Sequence, residues 1–227
     1  MKTALHPASQ NDLLIELPEA SLYGDLNIPE RALGLVIFAH GSGSGRKSSR
    51  NRFVARILQE HRIGTLLFDL LTPEEEQEDA YTAQLRFDIS LLARRLRAVT
   101  EWIITDLGDI SIGYFGASTG AAAALIAAGE LGSRIDAVVS RGGRPDLAGP
   151  ALRNVSAPTL LIVGSEDHPV INLNASALAE LRCEKRMDIV PGATHLFEEP
   201  GTLEKVSELA AEWFGKYLAV ERSTAPC

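Results

Sequence analysis

Residues 116–120 read Gly-Ala-Ser-Thr-Gly, and their flanks leave few folds open. Ahead of them stands an apolar, partly β-branched run with Ile110, Ile112, Tyr114 and Phe115, which reads as a buried strand. Behind them an alanine-rich stretch reaches Ala128, with strong helix propensity. Strand, sharp turn, helix is the context in which a G-x-S-x-G pentapeptide carries weight. Such a turn forces its serine into strained backbone geometry, so the residues two before and two after it must be nearly free of side chain. Gly116 and Gly120 meet that demand, and Ala117 and Ala121 are small. The pattern predicts Ser118 at the carboxyl end of a central strand with its hydroxyl exposed. The first amides of the following helix would point at whatever it attacks.

Around this centre, strands and helices alternate. Residues 13–17 and 21–27 read as two short strands joined by a turn at Pro18-Glu19, an antiparallel edge hairpin. Residues 33–39 are nearly all apolar, a strand buried on both faces, and they empty into the glycine loop His40-Gly41-Ser42-Gly43-Ser44-Gly45. A helix is expected over 49–61, a buried strand over 64–70, then a solvated acidic loop at Glu74–Asp79 and one long helix over 81–105. After the serine strand and its helix come strands at 135–140, 159–163 and 185–190, a helix at 174–181 and an amphipathic helix over 203–218. This order predicts an α/β fold, a mostly parallel central sheet with helices on both faces and an N-terminal antiparallel hairpin. One domain spanning residues 1–227 is expected, with no separate cap domain, because no large insertion stands between the strands.

The net charge of −8 argues against nonspecific binding to nucleic acid or anionic membrane, and no apolar run approaches the length of a membrane span. The first residues lack the apolar segment of a secretory signal. Two cysteines, Cys183 and Cys227, offer neither a disulfide framework nor metal-ligand spacing, so reduced thiols and a cytoplasmic protein are expected. The apolar face of the last helix packs either internally or on a second copy, which leaves a homodimer open.

In such a sheet, chemistry gathers in the loops at the carboxyl ends of strands, here those holding His40, Asp69, Ser118, Arg141, Asp167 and His195. A serine hydroxyl needs a base within reach, and the base needs a group that fixes its tautomer. His195 follows the last strand and is the favoured base over His6, His40, His61 and His168. Between Ser118 and His195, Glu166 and Asp167 both qualify as the acid. Asp167 is preferred because the Val170 that follows it can pack and turn it inward, while Asp136 and Asp146 are poorly placed. Oxyanion donors are expected from the backbone N–H of Thr119 and of Ser42, with Gly43 next and His40 ordering the loop. The same glycine loop fails as a phosphate cradle because Arg46 stands where glycine is required, and Asp69 reads as a loop cap. Arg46, Lys47, Arg50, Arg52, Arg141 and Arg144 could edge one mouth. Arg141 and Arg46 are the candidates for holding a substrate carboxylate or phosphate, against pairing with local acids.

HGSGSG from His40, GASTG around Ser118, GSEDHPV around Asp167 and PGATH ending at His195 together resemble the α/β-hydrolase superfamily, within it the dienelactone hydrolase-like group. The resemblance covers nearly the whole chain. It implies a Ser–His–Asp triad on Ser118, His195 and Asp167, a small-molecule ester-type substrate, and no metal or cofactor. Dienelactone hydrolases proper use a cysteine nucleophile. Serine here favours a more general esterase or lactonase, a serine-nucleophile variant. Acyl transfer or peptidase action with the same residues, and a non-catalytic binding module, are the alternatives.

Overall fold

The computed structural model describes residues 5–219, so Cys227 lies outside the described residues. Eight strands form one sheet: β1 (Ala8–Glu16), β2 (Ser21–Ile28), β3 (Leu35–Ala39), β4 (Gly64–Phe68), β5 (Ile112–Ala117), β6 (Ala137–Arg141), β7 (Thr159–Gly164) and β8 (Lys185–Val190). Their spatial order is β1-β2-β4-β3-β5-β6-β7-β8. The hairpin β1–β2 is antiparallel and joins β4 antiparallel, whereas β4, β3, β5, β6, β7 and β8 pair in parallel. β3 to β7 are buried along their whole length, as both-face coverage by helices requires.

Among the described residues six α-helices flank the sheet: α1 (Ser49–Glu60), α2 (Pro73–Thr82), α3 (Ile89–Leu107), α4 (Thr119–Leu131), α5 (His168–Glu180) and α6 (Thr202–Leu218). The core is split by the sheet into two layers. Val54 and Leu58 of α1 and Val206, Ala210 and Phe214 of α6 pack with Val36, Phe38, Phe115 and Val139 on one face. Leu96, Val99 and Ile103 of α3 and the alanines of α4 pack with Ile37, Leu66, Tyr114 and Val138 on the other.

Four elements differ from the sequence expectation. α5 opens at His168 rather than at residue 174, with Pro169 in its first turn. The acidic run is a helix rather than a loop. Thr72 accepts the Glu75 N–H and Glu75 returns a bond to the Thr72 N–H, Pro73 opens the first turn, and three glutamates sit where the helix dipole favours them. The long helix over 81–105 is broken. Ala83 turns left-handed at φ 52°, the Asp79 carboxylate accepts the Leu85 and Arg86 N–H groups, and Asp88 caps a new helix at Leu91. Finally, β1 begins earlier than residue 13 and carries a bulge between Gln10 and Leu13, where Asp12 has φ 51°.

The placement of α4 depends on close contact. A Cβ on Gly120 would lie 2.1 Å from the Ala39 carbonyl oxygen and 2.5 Å from that of His40. No side chain fits there. Gly215, midway through the last turns of α6, faces open space. Gly120→Ala is therefore expected to cost about 3 kcal/mol or more through overpacking, and Gly215→Ala to stabilise by about 0.5–1 kcal/mol through helix propensity. Urea unfolding midpoints of the two variants check both signs.

Candidate active site

β5 delivers Ser118 at the carboxyl edge of the sheet. Its backbone, φ 50° and ψ −122°, is a conformation L-residues avoid, and it is held by bonds on both sides. The Ser118 N–H reaches the Arg141 carbonyl at 3.4 Å, while the Ser118 carbonyl accepts the N–H of Ala121 at 3.1 Å and of Arg144 at 3.0 Å. The residue is half-buried, and α4 starts directly after it. A Cβ on Gly41 would lie 2.9 Å from the Ser118 Cβ, so the glycine loop after β3 rests on the serine itself.

Asp167 ends the turn after β7 and precedes the first residue of α5, in whose first turn Val170 is buried. Its carboxylate is 12% exposed and meets His195 Nδ1 at 2.6 Å. A carboxylate only accepts, so Nδ1 carries the proton and Nε2 is left as the basic nitrogen. The His195 and Asp167 loops are stitched together. Glu166 N–H donates to the Ala193 carbonyl at 3.0 Å, and Gly192 N–H to the Ser165 hydroxyl at 2.8 Å. Glu199 accepts both the N–H and the hydroxyl of Thr194, and the hydroxyl bond holds its carboxyl below the usual range. Gly142 sits beside the His195 backbone, so the loop after β6 touches both the serine and the histidine segments.

His40 is a tie. Its Nε2 accepts the Leu70 N–H at 3.0 Å, so its Nδ1 must be the donor to the Gly41 carbonyl at 3.0 Å. The ring thereby fastens the glycine loop to the end of β4. Burial holds its pKa below the ordinary imidazole value. Beyond it, Ser42 N–H donates to Thr119 Oγ1 at 3.0 Å. A cavity of about 40 Å³ adjoins this loop, walled by Ser42, Gly43, Leu71, Leu92 and the α2 side chains Glu76 and Asp79.

The cations expected at the mouth have separate fates. Arg46 contacts Asp12 at 2.7 Å, Asp25 at 3.1 Å and Asp69 at 2.9 Å, so its charge is engaged in the scaffold rather than offered to a ligand. Lys47 and Arg52 share Asp25, Arg50 pairs with Glu198, and Arg144 with Asp146. Arg141 has no carboxylate partner among the described residues. Its Nε and Nη1 are buried without a hydrogen bond, and the guanidinium lies 6.0 Å from the Phe197 ring centre. Burial first, and Arg50 second, pull its pKa down to about 10.

Two features of the site escaped the sequence. Phe197 has φ 56° and is 2% exposed, anchoring the His195 loop. The Thr119 side chain faces the glycine loop as well as its backbone. Neither a positive φ at phenylalanine nor a hydroxyl's partner has a local sequence signal. A phenylalanine two residues past the histidine was the one available hint.

His40 has a testable consequence. Its folded pKa is depressed, so below about pH 6.5 the unfolded chain takes up a proton that the folded chain does not. The neutral ring's contribution is whole above pH 6.5 and is lost as pH falls. Unfolding free energies from urea titrations between pH 7 and pH 5 should decline, and His40→Asn should flatten that decline by up to about 1.4 kcal/mol per pH unit.

No protein-family model matches the chain. Two Mycobacterium tuberculosis proteins, from strains CDC 1551 and H37Rv, are 52% identical over 214 residues and are provisionally named phosphoribosyl transferases. The match takes in 93% of this chain and 47% of theirs, so the chain spans about half the length of the curated relatives it matches. A lidless α/β serine hydrolase from Xanthomonas campestris shares the fold, with 20% identity, coverage of 97% and 99%, and a TM-score of 0.74. The crystal structure of a dienelactone hydrolase from Anabaena variabilis superposes with a TM-score of 0.90 at 54% identity, covering 93% of this chain and 98% of that one. With the parallel sheet, the serine elbow and the loops of Asp167 and His195 in that order, the chain belongs to the dienelactone hydrolase family of α/β hydrolases.

Proposed function

We propose that the chain is a serine hydrolase that cleaves a carboxylic ester, lactone or thioester through an acyl-enzyme. The observation that carries this reading is the 2.6 Å contact of His195 Nδ1 with the Asp167 carboxylate, which leaves Nε2 free to act as base. The strained, half-buried Ser118 after β5, at the same carboxyl edge of the sheet, supports it. In this reading Ser118 Oγ attacks the carbonyl carbon and its proton passes to His195 Nε2. Asp167 holds the ring's tautomer and stabilises the imidazolium. The carbonyl oxygen becomes an oxyanion at the start of α4. There Thr119 N–H is one of the amides that a helix start leaves without an intrahelical acceptor, and the Ser42 segment lies opposite. Return of the proton expels the alcohol, and water then releases the acid by the same route.

Within that reading, Arg141 is the residue that would select an anionic ester. A buried guanidinium with two unpartnered nitrogens is costly to leave uncompensated, and a substrate carboxylate is the group that satisfies it. Arg46 is not assigned this role, because three aspartates hold it.

The transferase name of the mycobacterial relatives gives a second reading. That name belongs to whole proteins of which the matched region makes up 47%, and the same region has the hydrolase sheet here, so we do not carry it to this chain. Phosphoribosyl pyrophosphate incubated with this chain and an acceptor base should release no pyrophosphate.

Initial rates on p-nitrophenyl esters test the main reading. Turnover should fall at least about 10³-fold in Ser118→Ala and on the order of 10⁴-fold in Asp167→Asn, where the tautomer is lost. A fluorophosphonate should label the native chain at Ser118. Arg141→Ala should lower kcat/KM about tenfold or more for a carboxylate-bearing ester, and change that for a neutral ester less than threefold. Equal loss on both esters would remove Arg141 from substrate selection.

A further inference from the structure

The Ser42 N–H, expected to face the oxyanion directly, is already engaged. Its one proton goes to Thr119 Oγ1 at 3.0 Å. Thr119 is 3% exposed, at the first position of α4. A hydroxyl that accepts one bond still has its own proton to give. Elsewhere in this chain buried or helical threonines give theirs to the carbonyl one turn back, Thr100 to Leu96 at 2.8 Å and Thr105 to Glu101 at 2.9 Å. Thr119 has no helical turn behind it, and no acceptor for its hydroxyl proton is found among the described residues. Backbone contacts fix where this hydroxyl sits. Gly41 is packed on the Ser118 Cβ, and Gly120 on the Ala39 and His40 carbonyls, so neither the loop nor the helix start has room to shift.

We propose that the Thr119 hydroxyl is itself an oxyanion donor, and that Ser42 serves the oxyanion through it. This inference rests on the serine hydrolase reading. As Ser118 Oγ bonds to the carbonyl carbon, the carbonyl π pair moves onto oxygen and the serine proton moves to His195 Nε2. The oxyanion then receives two bonds from one residue, the Thr119 N–H and the Thr119 O–H. The Ser42 N–H stays on Oγ1 and polarises it, since a hydroxyl that accepts a bond becomes a stronger donor. The hole is thus a relay, amide to hydroxyl to oxyanion, rather than two parallel amides.

The test compares Thr119→Val, which keeps the branched shape and removes the hydroxyl, with Thr119→Ser, which keeps the hydroxyl. Thr119→Ala is the second variant, should valine fail to fold. On a neutral p-nitrophenyl ester, valine or alanine should lower kcat about 10²-fold or more with KM within threefold. Serine should restore kcat to within about threefold of the native chain. Fluorophosphonate labelling of Ser118 should slow in the same order, because the phosphonyl oxygen enters the same site. Native-like or raised kcat in the valine or alanine variant would overturn the proposal. The hydroxyl would then be a plug that blocks the Ser42 amide. Equal losses in the serine and valine variants would also overturn it, pointing to packing. A native chain that neither labels at Ser118 nor loses turnover in Ser118→Ala would instead sink the serine mechanism, and the proposal with it.

Discussion

The structure depends on how closely the first turn of α4 approaches the end of β3. That approach brings the helix start, the serine and the glycine loop within van der Waals distance of each other. It is possible only because Gly120 lacks a Cβ that would strike two backbone carbonyls. Everything chemical is built on this contact. The strain at Ser118 persists because neighbours on both sides hold its peptide groups. The loop from Gly41 can rest on the serine because α4 has already fixed the serine's position. A helix one ångström further from the sheet would separate Ser42 from Thr119 and relax the elbow together.

Much of this was legible in the chain of residues, for physical reasons that differ by element. β3 to β7 were readable because burial on both faces demands unbroken apolar runs, and such runs admit few other structures. The elbow was readable because its steric demand is local, falling on Gly116 and Gly120. α2 departs from the expected loop because a run of glutamates signals solvent by composition alone. The same run at a helix start, behind Thr72 and Pro73, is stabilised by capping and by the helix dipole. The break at Ala83 was unreadable, since it depends on one carboxylate, Asp79, receiving the next segment's N–H groups.

The arginines show where local reading stops. Arg46 lies in the loop after β3 and Arg141 ends β6, and by sequence both are available to a ligand. Asp25 lies 21 positions from Arg46 in sequence yet 3.1 Å away in space, so only the fold reveals that Arg46 is engaged. Arg141 has the opposite history. Its neighbours in space are an aromatic ring and another cation, so the fold leaves its charge uncompensated. The same logic applies to Thr119, whose proposed backbone role rests on its position after the serine. Its side chain gained meaning only when Ser42, 77 positions away, was found against it.

The engagement of Arg46 has a consequence for assembly of the chain. Its three acidic partners come from the β1 bulge, from β2 and from the end of β4. The glycine loop is thus moored to the edge hairpin as well as to the strand it follows. During synthesis from the N-terminus the mooring cannot close until Asp69 has emerged, although the hairpin was made first. The hairpin is therefore an early-made part with a late partner, and its acidic side chains wait in water until the strand that completes their site arrives.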